Sequence, residues 1–292
     1  MEEAPRGWNG ISGKLVVITG ATGGIGLAAA QALGRKGARL ALVARSEARA
    51  DAAEASIRAV AGAGVVIDKL KADLTSQADV RRLATEVRSR YGQLDVLINN
   101  AGAIYSHRQL SRDGIELTWA LNHLAPFLLT TLLLDLLKSS APARVITTSS
   151  MAHRGVRIPF DDLNAERGYR SYRRYGESKL ANILFTGELA RRLEGSGVTA
   201  NCFHPGFVAT GFNRNNGAFM NWLMKTAGPL ARSPERGADT LVWLADSPDL
   251  GGVSGQYFTD RRRRTPSPEA QNAETARRLW DASMAQTADR HG

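Results

Sequence analysis

The chain has 292 residues, of which 43% are hydrophobic and 23% charged, with 38 Lys and Arg against 28 Asp and Glu and a single cysteine, Cys202. Such a composition supplies a large apolar core, which argues against a disordered chain, and one thiol excludes an internal disulfide framework. The net charge of +10 is scattered along the chain, with one compact run at 261–264; it reads as an arginine-rich soluble surface and not as a nucleic-acid footprint.

The N-terminal "MEEAPRGWNGISGK" is polar and has no apolar core segment, so no secretory signal is expected, and with one cysteine a reducing cytoplasm is the expected location. The longest apolar stretch, 124–137, contains Pro126 and Asp135 and falls short of the ~20 residues a membrane span needs. After a tail at 1–12, "KLVVITG" (14–20) predicts a buried strand and 26–37 a helix stopped by glycine. Then follow strand 38–45, helix 46–61, strand 65–74, helix 76–91, strand 94–102, helix 113–138, strand 143–150, a long helix from about 172 to 195, and strand 198–206. Ser233-Pro234-Glu235 opens a helix to about 246, "SGQYFTD" is a seventh strand, and Ser267-Pro268-Glu269 opens a last helix to about 286. This alternation predicts one domain, 13–292: a Rossmann-type doubly wound parallel sheet of about seven strands with helices on both faces.

The first strand runs into "TGATGGIG", which holds Gly20, Thr22, Gly24, Ile25 and Gly26. Three glycines between the first strand and first helix of a wound sheet meet the demands of a dinucleotide pyrophosphate: a tight turn, close backbone approach and close helix packing. Where the second strand ends, an acid would favour NAD by bonding the ribose 2′-hydroxyl. Here stand Ala44, Arg45 and Ser46; a guanidinium and a hydroxyl suit a 2′-phosphate, so NADP(H) is the expected cofactor. Asp73, beside Leu74, either accepts from the adenine amino group or caps the next helix. "NNAG", with Asn100, Ala101 and Gly102, closes the fourth strand with small residues that let backbone pass near the cofactor. No metal is expected.

Tyr175 and Lys179 stand four apart, on one face of the long helix. An ammonium about 5 Å from a phenol, at an effective dielectric of ~20, is worth roughly 3 kcal/mol and lowers the phenol pKa by about two units. General acid/base work at neutral pH then becomes feasible.

"TGATGGIG", "NNAG", Asn122 in "ALNHLAPF", "TTSS" ending at Ser150, "YGESK" and "HPG" at 204–206 occur in one order along the chain. With them the sequence resembles the short-chain dehydrogenase/reductase family from about residue 13 to 260. The stretches "NHLAPFLLT", "SSMAH", "SKLANILFTGELARRLEGSGVT" and "YFTDRRRRTPSP" resemble its retinol-dehydrogenase-like branch. The resemblance implies a hydride-transferring oxidoreductase in which Tyr175 exchanges a proton with the substrate oxygen. Lys179 lowers the Tyr175 pKa and bonds the nicotinamide ribose, Ser150 donates to the substrate oxygen, and Asn122 orders a water linking Lys179 to solvent. Pro205, Gly206, Val208 and Thr210 shape the turn around the nicotinamide.

Ser150 and Tyr175 stand 25 apart against about a dozen in most of the family, so 151–174 is expected to form a flap, in which His153 packs or hydrogen-bonds. Nothing resembles the membrane anchor of many animal members, and no membrane retinoid role is expected. Residues 211–232, rich in Phe, Met and Trp, are expected to cover a bulky apolar aldehyde, ketone or alcohol. A homodimer or homotetramer is expected. The alternative is an NADP-binding regulatory protein of the same fold whose catalysis has lapsed.

Overall fold

The computed structural model describes residues 7–208 and 232–288; Thr210 and the expected lid up to residue 231 lie outside the described residues. Strands β1 (Leu15–Thr19), β2 (Arg39–Ala44), β3 (Ile67–Lys71), β4 (Val96–Asn99), β5 (Ala143–Thr148), β6 (Val198–His204), β7 (Tyr257–Thr259) and β8 (Arg262–Arg263) form one sheet in the order β3-β2-β1-β4-β5-β6-β7-β8. All neighbours pair in parallel except β8, which returns antiparallel to β7. The sheet thus has eight strands, not about seven. The eighth is made by the arginine run itself: Asp260 and Arg261 adopt positive φ, and that tight turn folds Arg262 and Arg263 back onto Thr259 and Phe258. A charge run gives no apolar periodicity from which to read a strand.

The parallel strands are buried on both faces because helices cover both. Along β1, Leu15 and Val17 join one core with residues of α3 (Gln77–Arg90). Val16 and Ile18 join the other, with residues of α1 (Gly24–Arg35) and α2 (Glu47–Ala61). The period of two along a strand assigns successive side chains to opposite layers.

The helix expected at 113–138 is broken. A short α4 (Leu117–Trp119) runs into a wide turn at Ala120–Leu124, then α5 (Ala125–Leu132) and α6 (Leu134–Ser139). The start is decided by Glu116, whose carboxylate accepts from the Thr118 and Trp119 amides at 2.8 and 2.9 Å. The long helix α7 is Ser171–Arg192, and α8 (Pro234–Asp246) opens as expected, with the Ser233 hydroxyl accepting from the Arg236 amide. Ser267, however, does not cap the final helix. A short 3-10 turn (Pro268–Gln271) follows it, and α9 (Ala273–Gln286) starts at Asn272, which accepts from the Thr275 amide.

Among the described residues no helix is long and apolar enough to cross a membrane.

Candidate active site

The strand order reverses between β1 and β4, where the first crossover turns one way and the next the other. At such a switch point the strand ends leave a crevice for ligands. The glycine turn lies there. Gly20 and Gly24 have φ of +70° and +52°, and a Cβ on Gly20 would come within 2.9 Å of the Ala101 backbone. A Cβ on Gly26 would strike the Gly20 carbonyl, so α1 presses directly on the turn. Gly23 precedes α1 without a side-chain cap and no acid stands in its first turn; the first amides of a helix in that state suit an anion.

Asn100, just past β4, fastens that strand end to those of β1 and β5. Its Nδ2 donates to the Thr19 and Gly20 carbonyls and its Oδ1 accepts from Thr148 Oγ1. At the edge of the crevice Arg45 is exposed and forms no ion pair with a described residue, and Ser46 precedes α2 without using its hydroxyl as a cap. Asp73 does not cap α3; Ser76 does. Asp73 Oδ1 instead accepts from the amide and hydroxyl of Thr75 at 3.0 and 2.8 Å, which shapes the turn around Leu74. The Asp73 and Arg45 charges both act on the Tyr105 phenol, whose pKa is raised chiefly by burial.

On the other side of Gly102, a Cβ would lie 3.1 Å from Asn122 Oδ1 and 3.5 Å from Lys179 Nζ, so both side chains converge there. Asn122 sits in the wide turn, where its Oδ1 accepts from the Ala103 amide and its Nδ2 donates to the Ala103 carbonyl and Ser178 Oγ. Both of its amide hydrogens are used. Lys179 is buried and donates to the Thr148 carbonyl at 3.1 Å, which Asn182 Nδ2 also reaches at 3.1 Å. Ser149 turns away to donate to the Lys179 carbonyl at 2.8 Å, while Ser150 bonds toward Tyr175. Ser150, Tyr175, Lys179 and Asn122, drawn from the turn after β5, from α7 and from the broken helix, thus occupy one place. Beyond β6 the "HPG" turn has Gly206 at φ +83°, and Val208 meets Ile25 of α1 over Gly237.

The electrostatics differ from the sequence expectation. Burial pushes the Tyr175 phenol up to about 12, and the hydrogen bond with Ser150 offsets only part of this. Burial likewise pushes the Lys179 ammonium down to about 8. Two ionisable groups taken from water each resist charging. Proximity to the lysine therefore does not bring the phenol pKa down toward neutral pH; Tyr175 keeps its proton.

The family model for "short chain dehydrogenase" matches residues 14–221. Human retinol dehydrogenase 14 is 43% identical over 289 residues, covering 93% of this chain and 85% of the relative. The chain belongs to the short-chain dehydrogenase family. Within it the protein is retinol-dehydrogenase-like, an oxidoreductase of a family that binds nicotinamide dinucleotides. A solved protein from Mycobacterium paratuberculosis, 33% identical, aligns over 97% of this chain and 98% of its own with a TM-score of 0.77. A short-chain dehydrogenase from Burkholderia cenocepacia, in complex with NADP, is 28% identical over 86% of this chain and 97% of its own, with a TM-score of 0.68.

In this short-chain dehydrogenase the long segment between Ser150 and Tyr175 is anchored rather than loose. Asn164 accepts from the Glu116 amide, Tyr169 donates to the Tyr105 carbonyl, and the Leu163 carbonyl accepts from Arg174. Arg174 is 1% exposed, lies 2.7 Å from the fully buried Glu116 carboxylate and 3.3 Å from Glu177, and stacks over Trp119. It bridges α7, the start of α4 and the inserted segment, one residue before Tyr175. In the sequence it was one arginine of many; burial, invisible there, gives it this role.

Proposed function

We propose that this protein transfers a hydride between NADP(H) and an apolar aldehyde or ketone, or the corresponding alcohol, with Tyr175 as acid and base. The observation that carries the reading is the convergence of Ser150, Tyr175, Lys179 and Asn122 beside the glycine turn at the switch point. The residues present fit a dinucleotide: the uncapped start of α1, the glycine surface at Gly20 and Gly102, and Arg45 with Ser46 for a 2′-phosphate. Pro205, Gly206 and Val208 fit the nicotinamide end, and the solved relative with NADP supports the phosphorylated form. The curated relatives are named for retinol, an apolar alcohol, and Met151, Tyr172 and Phe207, neighbours in sequence of the three site segments, are exposed hydrophobic residues.

The bound dinucleotide supplies the hydride. Tyr175, protonated at neutral pH, gives its proton to the oxygen of the carbonyl as charge grows there. Ser150 donates a hydrogen bond to the same oxygen. Lys179, while charged, stabilises the phenolate left behind, and a water between Asn122 Oδ1 and Lys179 returns the proton. A cytoplasmic homodimer or homotetramer completes the reading. NADPH oxidation by the purified protein with a panel of aldehydes and ketones tests it; no consumption with any of them rejects it.

Two outcomes follow from these groups. Arg45→Glu places a carboxylate against the 2′-phosphate and is expected to raise KM for NADPH by at least ~30-fold, about 2 kcal/mol, with less effect on NADH. Steady-state kinetics with both cofactors measure this, and equal changes for the two would remove Arg45 from the phosphate site. Lys179 discharges as pH rises through about 8, so kcat/KM for carbonyl reduction should hold below that value and fall above it. A pH–rate profile flat to pH 10 would contradict the need for the ammonium.

A further inference from the structure

We infer that His153 is a positioning residue that holds Ser150 in place against Tyr175 by tying it to the C-terminal segment 264–272; this rests on Ser150 being the donor to the substrate oxygen proposed above. Ser150 lies beyond the last paired residue of β5. Its neighbour Ser149 still bonds the Phe203 carbonyl through its amide, but the Ser150 carbonyl is held by His153: by the amide at 3.2 Å and the ring Nδ1 at 2.6 Å. A carbonyl carries no hydrogen, so Nδ1 must be the protonated nitrogen. The opposite nitrogen, Nε2, accepts from the Ser267 amide at 3.2 Å, which sets the same tautomer. One ring therefore joins two segments 114 positions apart.

The ring cannot swing away. His153 is 0% exposed and meets the edge of Tyr257 at 5.3 Å, and burial keeps it neutral. Arg154 adds a second tie to the same segment, donating to the Thr265 carbonyl at 3.2 Å. The short turn Met151–His153 also presses on α7: a Cβ on Gly176, next to Tyr175, would strike the Ala152 carbonyl. Within that turn the Ser150 hydroxyl accepts from the Ala152 amide at 3.2 Å, which leaves its single hydrogen to donate outward. With α7 fixed on one side of it, a shift of the turn would move Ser150 relative to Tyr175.

The test is a double-mutant cycle on turnover, with melting curves and NADPH affinity measured for each variant. His153→Gln keeps an acceptor near the Nε2 position but loses the donor to Ser150; kcat should fall about tenfold with NADPH affinity within about twofold. His153→Asn, whose amide nitrogen falls near Nδ1 but which cannot reach Ser267, should recover only part of that loss. Added to Ser150→Ala, His153→Gln should cost nothing further, because it acts through the serine. A further tenfold loss in the double variant, or turnover within twofold in His153→Gln alone, would overturn the inference. Should His153→Gln melt below assay temperature, Ser267→Pro takes its place: φ at Ser267 is −65°, which proline adopts, so it deletes the amide donor and keeps the backbone path. It should lower kcat at least threefold, again only where Ser150 is present, and wild-type turnover would overturn the inference. Full turnover in Ser150→Ala would instead reject the role of Ser150, a result separate from any at His153.

Discussion

Tyr175→Phe is expected to lower kcat for carbonyl reduction by ~10²–10⁴-fold, the usual contribution of a placed proton donor, while leaving the fold intact. The substitution removes one oxygen and keeps the ring, so the contact with the Lys179 ammonium, 5.5 Å from the ring centroid, survives. What disappears is a phenol that burial holds protonated, with a pKa near 12. A proton donor that strong in holding its proton serves a carbonyl only as negative charge develops on the oxygen. The loss should therefore fall on kcat and kcat/KM together, the mark of an interaction made in the transition state. The reverse reaction needs the phenolate and should rise with pH until Lys179 discharges. Rates for a set of aldehydes and ketones, with cofactor affinity as control, measure the effect; turnover within threefold of the parent on every substrate would end the proposed chemistry.

Arg174→Ala is expected to destabilise the fold by ~3–5 kcal/mol, the range for breaking a buried charge pair, and to lower Tm by on the order of 10 °C. Arg174 and Glu116 are both essentially inaccessible to water, and Glu177 is nearly so. Removing the guanidinium strands the Glu116 carboxylate in the interior, while Glu177 keeps its bond to Arg173, and it also withdraws the bonds to Leu163 and the face of Trp119. Arg174→Lys should rescue little, because an ammonium cannot span the same three acceptors in one plane. Added salt should not mimic the variant, since buried pairs are poorly screened. Calorimetry or thermal melts of the purified variants check this; a Tm within 2 °C of the parent would show that the triad contributes nothing net. Glu116 makes complete neutralisation informative as well. Its carboxylate caps α4 through Thr118 and Trp119, so replacing all three charges by apolar groups should still cost a helix cap, roughly 1 kcal/mol.

The wound sheet was legible because its signals are local. Buried parallel strands show as β-branched runs, and helices announce their ends through Ser233-Pro234 and the glycines. The broken helix at 117–139 was not legible, since the deciding contact is a carboxylate at Glu116 reaching forward to amides that any helix would have. Ser267-Pro268-Glu269 has the same local form as Ser233-Pro234-Glu235, yet only the latter opens an α-helix. The Ser233 hydroxyl accepts from the Arg236 amide, whereas the Ser267 hydroxyl caps nothing and a 3-10 turn follows it.

Residue identity and order along the chain by themselves determined the alternating layers, the glycine turn, the missing acid after β2 and the Tyr175–Lys179 spacing, because each depends on backbone geometry within a few residues. Tertiary structure alone decided which groups lose water, and with that the protonation of Tyr175 and Lys179, the buried triad around Arg174 and the bridge from Ser150 through His153 to Ser267. Desolvation is a property of what surrounds a side chain in space, and neighbours brought together across more than a hundred positions leave no periodic trace in the sequence.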